Sequence, residues 1–252
     1  MATDLRVFTV PGLPEVSQGD ELGSVIENAL ERAGLALENG DVVVVAQKVV
    51  SKAEGAIVNL ATVTPSPLAA SWAAAYRKDP ATMEVVLRES RRIVRMDRGI
   101  LIAETHHGFV CANAGVDASN VPPGFVTALP RDPDASAARL RTALCARLHV
   151  QVATIVTDTF GRPWREGVVN VALGAAGLRP LDDYRGRSDP FGRRLQSTVI
   201  AIADELASAG AIVMGKTSGL PVAVIRGAAE WCDDTIGAGA ALVRPAPLDL
   251  FR

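Results

Sequence analysis

Between Arg92 and Ala112 three strand-like runs, Arg92–Met96, Leu101–Thr105 and Gly108–Ala112, follow one another with only a few residues between them. A parallel crossover needs a dozen or more residues, so these runs must pair antiparallel. A doubly wound parallel sheet is thereby disfavoured, and a mixed α+β fold with largely antiparallel sheets and flanking helices is expected. Further short runs rich in Val, Ile and Ala read as strands: Arg6–Val10, Asp41–Ala46, Ala56–Leu60, Val152–Thr157, Ala211–Met214 and Val222–Arg226. Helical periodicity marks Asp20–Gly34, with Leu22, Ile26, Ala29, Leu30 and Ala33 on one face and Gly34 as its stop. Ala69–Lys78, Thr82–Ser90, Asp134–Leu148 and Ser197–Ala209, the last closed by Gly210, read as further helices. Two stretches, Ala114–Pro130 and Thr159–Gly192, read as long loops, and loops of that length in a compact domain usually have a task or are disordered.

A chain of 252 residues is long enough for one domain or two interleaved subdomains, and residues 1–252 read as a single functional unit. Hydrophobic residues make up 48 % but aromatics only 4 %, so the core must be aliphatic. Lys and Arg number 26 against 28 Asp and Glu, a net charge of -2, which gives no general attraction to nucleic acid or an anionic membrane. The run Val199–Met214 is broken by Asp204 and Glu205 and is not expected to span a bilayer. Met1–Val10 lacks the basic and apolar blocks of a signal peptide. Cys111, Cys145 and Cys232 are scattered without a CxxC pair and read as reduced thiols, so a soluble cytoplasmic protein is expected.

The motif most open to misreading is Gly210-Ala-Ile-Val-Met-Gly215-Lys216-Thr217, which satisfies the phosphate-loop pattern by letter. Its middle positions look strand-like and no helix is expected to follow, as a true phosphate loop requires. A strand is expected to begin near Lys216 instead, making this a glycine-rich turn between strands whose Gly215 and Gly219 allow close backbone approach. In Ala153–Gly167 an apolar run ends in Asp158 and Thr159 and enters a loop with Arg162 and Arg165. Hard cations take oxygen ligands, one or two carboxylates with substrate phosphates completing the shell, and Asp158 with Thr159 suits that need. A capped turn with solvated arginines explains the same letters. The loop Gly108–Val121 carries Asn113, Asp117 and Asn120 among small residues, and Asp117 is either a second carboxylate for a metal or part of a polar turn. Lys48 and Lys52 stand four apart directly after a strand, placed to neutralise phosphates or to form a charged rim. His106 and His107, adjacent in a strand, would face opposite ways, which favours surface or packing roles.

Taken together, Pro11–Val16, Asp41–Gly55, Gly108–Val121, Val156–Gly167, Asp189–Gly192 and Met214–Gly227 resemble the coenzyme F420-0:L-glutamate ligase family, in order along nearly the whole chain. The resemblance implies an α+β fold forming an intertwined homodimer, and a chain ending at Leu248–Arg252 resembles the single-domain members. It implies ligation of L-glutamate to F420-0 with hydrolysis of GTP. Leu13, Pro14, Glu15, Val16, Gln47, Lys48, Lys52 and Asn120 would then line the GTP site, as would the turn carrying Gly215 and Lys216. Asp117 and Asp158 would bind one divalent ion and Thr159 a second, Mg²⁺ or Mn²⁺ at two ions per site, with K⁺ a further candidate. Some members resemble one another in having an acidic or amide side chain in the Met214–Pro221 turn, where this chain has Lys216. The resemblance leaves the catalytic base unassigned. A related ligase with another carboxylate acceptor and a non-catalytic nucleotide-binding module are the rival readings.

Overall fold

The computed structural model describes residues 4–249; the ends of the readings made over Met1–Val10 and Leu248–Arg252 lie outside the described residues. The elements are, in order, β1 (Arg6–Thr9), α1 (Leu22–Ala33), β2 (Val42–Ala46), α2 (Gln47–Ala53), β3 (Ile57–Asn59), α3 (Pro67–Tyr76) and α4 (Pro80–Arg88). They continue with β4 (Ser90–Asp97), β5 (Ile100–Thr105), β6 (Val110–Ala112), β7 (Phe125–Thr127), α5 (Pro133–Leu148), β8 (Ala153–Gly161) and β9 (Val168–Leu178). The chain closes through β10 (Asp182–Asp183), β11 (Val199–Ile200), α6 (Ile202–Met214), β12 (Val222–Arg226) and β13 (Cys232–Ile236).

Six strands form the main sheet in the order β1-β12-β2-β8-β9-β13. Every pairing in it is antiparallel except β2 with β8, where Val42 to Ala46 run alongside Ala153 to Thr157. Alternate residues of β2 face opposite layers, as a two-residue repeat demands. Val43 and Val45 pack with Ile26, Leu30, Leu140 and Leu144 of α1 and α5, whereas Val42 and Val44 pack with Ile202, Leu206 and Met214 of α6. Helices therefore cover both faces of the sheet, and β2 is wholly valine and alanine because it is apolar on both sides. The expected α+β class with mixed and antiparallel sheets is present. As expected, β4, β5 and β6 pair antiparallel in their own three-stranded sheet. With β3, β7, α3 and α4 they enclose a separate core around Trp72, Met83, Val86, Leu101 and Val126.

Local chemistry sets the ends of α1. The Glu21 carboxylate accepts from the Gly23 and Ser24 N–H groups at 3.0 and 2.7 Å, and Gly34 closes the helix at φ 64°. Four expectations are corrected. Ala211–Met214 is not a strand but the last turn of α6, which passes through Gly210 and is capped by Gly215. A Cβ on Gly210 would stand 3.1 Å from that of Val44, so this glycine lets the helix cross β2 closely and does not stop it. No strand begins at Lys216 either; a turn leads from α6 to β12 at Val222. Thr159–Gly192 is not one loop, since β8 runs on to Gly161 and β9 occupies eleven residues of it.

Candidate active site

The site grows from the carboxyl ends of the two parallel strands. Ala46 of β2 lies opposite Thr157 of β8, so the next residues, Gln47 and Lys48 on α2 and Asp158 and Thr159 on β8, emerge side by side. Lys48 and Lys52 are one helical turn apart on α2 and share a face. Lys48 Nζ forms an ion pair with Asp117 Oδ2 at 2.6 Å and donates to Ser119 Oγ. The Ser119 N–H and Oγ both donate to the Asp117 carboxylate, at 2.7 and 3.0 Å. Lys52, although buried, reaches Glu15, which is largely exposed. Lys216, on the exposed turn after α6, donates to Thr159 Oγ1.

A row of charges of both signs results: Glu15, Lys52, Lys48, Asp117, Asp158 and Lys216. Burial pushes the Asp158 carboxyl up to about 6; Asp117 adds to that, while a backbone hydrogen bond from Thr159 and the charges of Lys48 and Lys216 act against it. Asp117 behaves in the opposite way. Burial opposes its ionisation, but the hydrogen bond from Lys48 and those from Ser119 outweigh it and hold the carboxyl below its usual value. Cys111 lies near enough to feel Asp158, and burial with that charge raises its thiol to about 12, which makes it inert as a nucleophile. Gln47 is 1 % exposed; its Oε1 accepts from Ser51 Oγ at 2.7 Å and its Nε2 has no partner in the protein. An unpaired buried amide donor beside two lysines suits a polar ligand.

The other expected residues are placed as follows. Leu13 and Val16 pack against the core between the sheet, α1 and α5, while Pro14 is exposed. Asn120 is exposed at φ 57°, three residues beyond Asp117. Gly215 ends α6 at φ 61°. Because the phosphate-loop letters fall at the carboxyl end of a helix, carbonyls rather than N–H groups point out of it, and the end is electronegative. That geometry excludes a phosphate loop and suits Lys216. His106 and His107 lie in the turn between β5 and β6, not in a strand, and their Nε2 atoms meet backbone oxygens of Arg88 and Pro130, each at 2.9 Å. Arg162 Nη2 donates to the Glu166 carbonyl, and Arg165 and Arg193 are exposed.

Asn170 on β9 belongs to the site and was missed in the sequence. It faces Thr159 in register, accepts from Thr159 Oγ1 at 2.9 Å and donates to Thr157 Oγ1 at 3.2 Å. The signal for it was a polar residue inside the apolar run that starts at Val168.

The resemblance implies divalent ions, and the side chains answer differently at the two positions. Asp117 and Asp158 interact, one of them raised by burial and its neighbour's charge, which is the environment a hard dication relieves. Among the described residues no group of three or more Asp, Glu, His or Cys could hold a metal, so the remaining ligands there would be substrate oxygens and water. The place at Thr159 fits poorly, because the ammonium of Lys216 is already hydrogen-bonded to its hydroxyl.

Residues 12–227 match the F420-0:Gamma-glutamyl ligase family model, a span that contains every residue of the row. A coenzyme F420:L-glutamate ligase of Methanothermobacter thermautotrophicus is 46 % identical over 98 % of this chain and 99 % of its own length. Its namesake in Methanopyrus kandleri is 46 % identical over 98 % of both chains, and that of Methanocaldococcus jannaschii 42 % over 86 % of both. With a match of that extent, the chain belongs to the F420-0:gamma-glutamyl ligase family.

Proposed function

We propose that this chain joins L-glutamate to coenzyme F420-0 through an amide bond, with GTP converted to GDP and phosphate. The observation that carries the reading is the row of Lys52, Lys48, Asp117, Asp158 and Lys216 at the carboxyl ends of β2 and β8. Three lysines flanking two adjacent carboxylates match a polyphosphate that arrives with a cation. The names of the relatives supply the acceptor and the amino acid. GTP would lie along Leu13–Val16, Gln47, Lys48, Lys52, Asn120 and the Gly215–Lys216 turn.

In the proposed sequence a carboxylate oxygen of F420-0 attacks the γ-phosphorus of GTP. The bond from that phosphorus to the β–γ bridging oxygen breaks, GDP leaves with the electron pair, and an acyl phosphate remains. The glutamate amine then attacks the acyl carbon, phosphate leaves, and the amine proton passes to solvent or phosphate. When bound at Asp117 and Asp158, a divalent ion offsets phosphoryl charge. Lys48 holds Asp117 ionised and in place, and Lys52 would neutralise phosphate oxygens. Positioning and preorganised charge carry the rate enhancement. The chain works as a homodimer in the cytoplasm, where its nucleotide is found.

Mass spectrometry of the purified protein with F420-0, L-glutamate, GTP and Mn²⁺ or Mg²⁺ tests the reading. A product heavier by glutamyl units, dependent on GTP and metal, is expected. GDP without glutamylated coenzyme would mean another acceptor, and neither product would mean a binding module.

A further inference from the structure

The turn after α6 places a cation of the protein's own on the acceptors beside Asp158. Lys216 Nζ donates to Thr159 Oγ1 and lies 3.4 Å from Asn170 Oδ1. Those acceptors also hold one another: Thr159 Oγ1 donates to Asn170 Oδ1, and Asn170, 6 % exposed, donates in turn to Thr157 Oγ1. Lys216 also sits close enough to Asp158 for its charge to favour the ionised carboxylate. An ammonium has three donors and no lone pair, so it cannot join a metal's ligand shell. It also repels a dication brought to the same hydroxyl.

We infer that Lys216 is the resident second cation of this site, so that one divalent ion binds per chain, at Asp117 and Asp158, and none at Thr159. The inference rests on the GTP and metal reading above. Lys216 then meets a phosphoryl oxygen from the Thr159 side. It stands two residues past Met214, the last residue of α6, at the electronegative carbonyl end of that helix. The site then trades a diffusible ion for a tethered one, and the concentration of metal needed to fill it reflects a single binding step.

Equilibrium dialysis of the full chain against Mn²⁺ with a non-hydrolysable GTP analogue counts the ions, and electron paramagnetic resonance reports whether two lie close together. The wild-type protein is expected to hold one Mn²⁺ per chain with an uncoupled signal. Lys216→Asp removes the ammonium and supplies a carboxylate, and is expected to hold two with a spin-coupled signal. Lys216 is exposed, so the variant keeps its core, which circular dichroism checks. Two ions in the wild type would overturn the inference and leave the nucleotide–metal reading standing. One ion in both proteins would also overturn it, because Lys216 would not be what excludes the second. No nucleotide-dependent Mn²⁺ binding at all would remove both.

Discussion

At Asp158 burial moves the carboxyl from an ordinary 3.8 to about 6. Between those values the folded chain holds a proton that the unfolded chain has lost, so this group's contribution to stability falls as pH rises through about 6. The metal-free protein is expected to gain from Asp158 on going from pH 7 to pH 5. Asp158→Asn should raise the melting temperature at pH 7 and flatten that part of the pH dependence. Calorimetry at the two pH values decides it, and an unchanged slope would assign the effect to another group. The same substitution should abolish glutamylation with the fold intact, as read by product mass and circular dichroism; full metal-dependent turnover would remove Asp158 from the site. Lys48 and Asp158 were legible as sequence because each is a charged residue at the end of an apolar run, and Asp117 because it stands among small residues in a loop. Their neighbour Asn170 was not. Its strand β9 is buried along most of its length and built of Gly, Ala and Val without a polar alternation, so it read as part of a loop.

That composition has a cause at the level of elements. α5 packs against β9 so closely that a Cβ on Gly174 would meet the Pro133 carbonyl carbon and oxygen at 2.2 Å. Gly174→Ala must push α5 off the sheet and is expected to cost at least about 2 kcal/mol of stability, a typical penalty for overpacking. Denaturant titration would show it, and a wild-type midpoint would mean that α5 shifts freely. At the far end of the sheet, Arg226 of β12 grips Asp41 with two hydrogen bonds of 3.0 and 2.8 Å, and Asp41 is 1 % exposed. Removing the guanidinium leaves that buried carboxylate without its counter-charge, held by the Glu38 N–H at 2.7 Å, so Arg226→Ala is expected to cost about 3 kcal/mol by the same measurement. The strand expected at Ala211–Met214 failed for a related reason: its β-branched letters sit on a helix whose packing against β2 outweighs local propensity. α2 was missed because a helix of seven residues offers too few turns for a period to show.

Across the whole molecule, residues 57–127 interrupt the main sheet and carry the second core. Its three-stranded sheet exposes Val94, Ile100 and Val110, apolar residues that a second copy would cover in the homodimer proposed above. Sedimentation velocity is expected to give twice the chain mass, and Ile100→Glu with Val94→Glu to shift it toward the monomer. An unchanged mass in that variant would put the contact elsewhere. The antiparallel character of this region was legible from its short connections. Its separation from the main core was not, because aliphatic residues fill both and no composition change marks the border. Lys48 springs from the main sheet, whereas Asp117 bridges to Thr127 in the second body, so their ion pair ties the two bodies together. A ligand seated there acts as a rivet. Its affinity reports how well two independently cored bodies are aligned, and a substitution far from the row that loosens their seam would weaken binding without touching a single ligand contact.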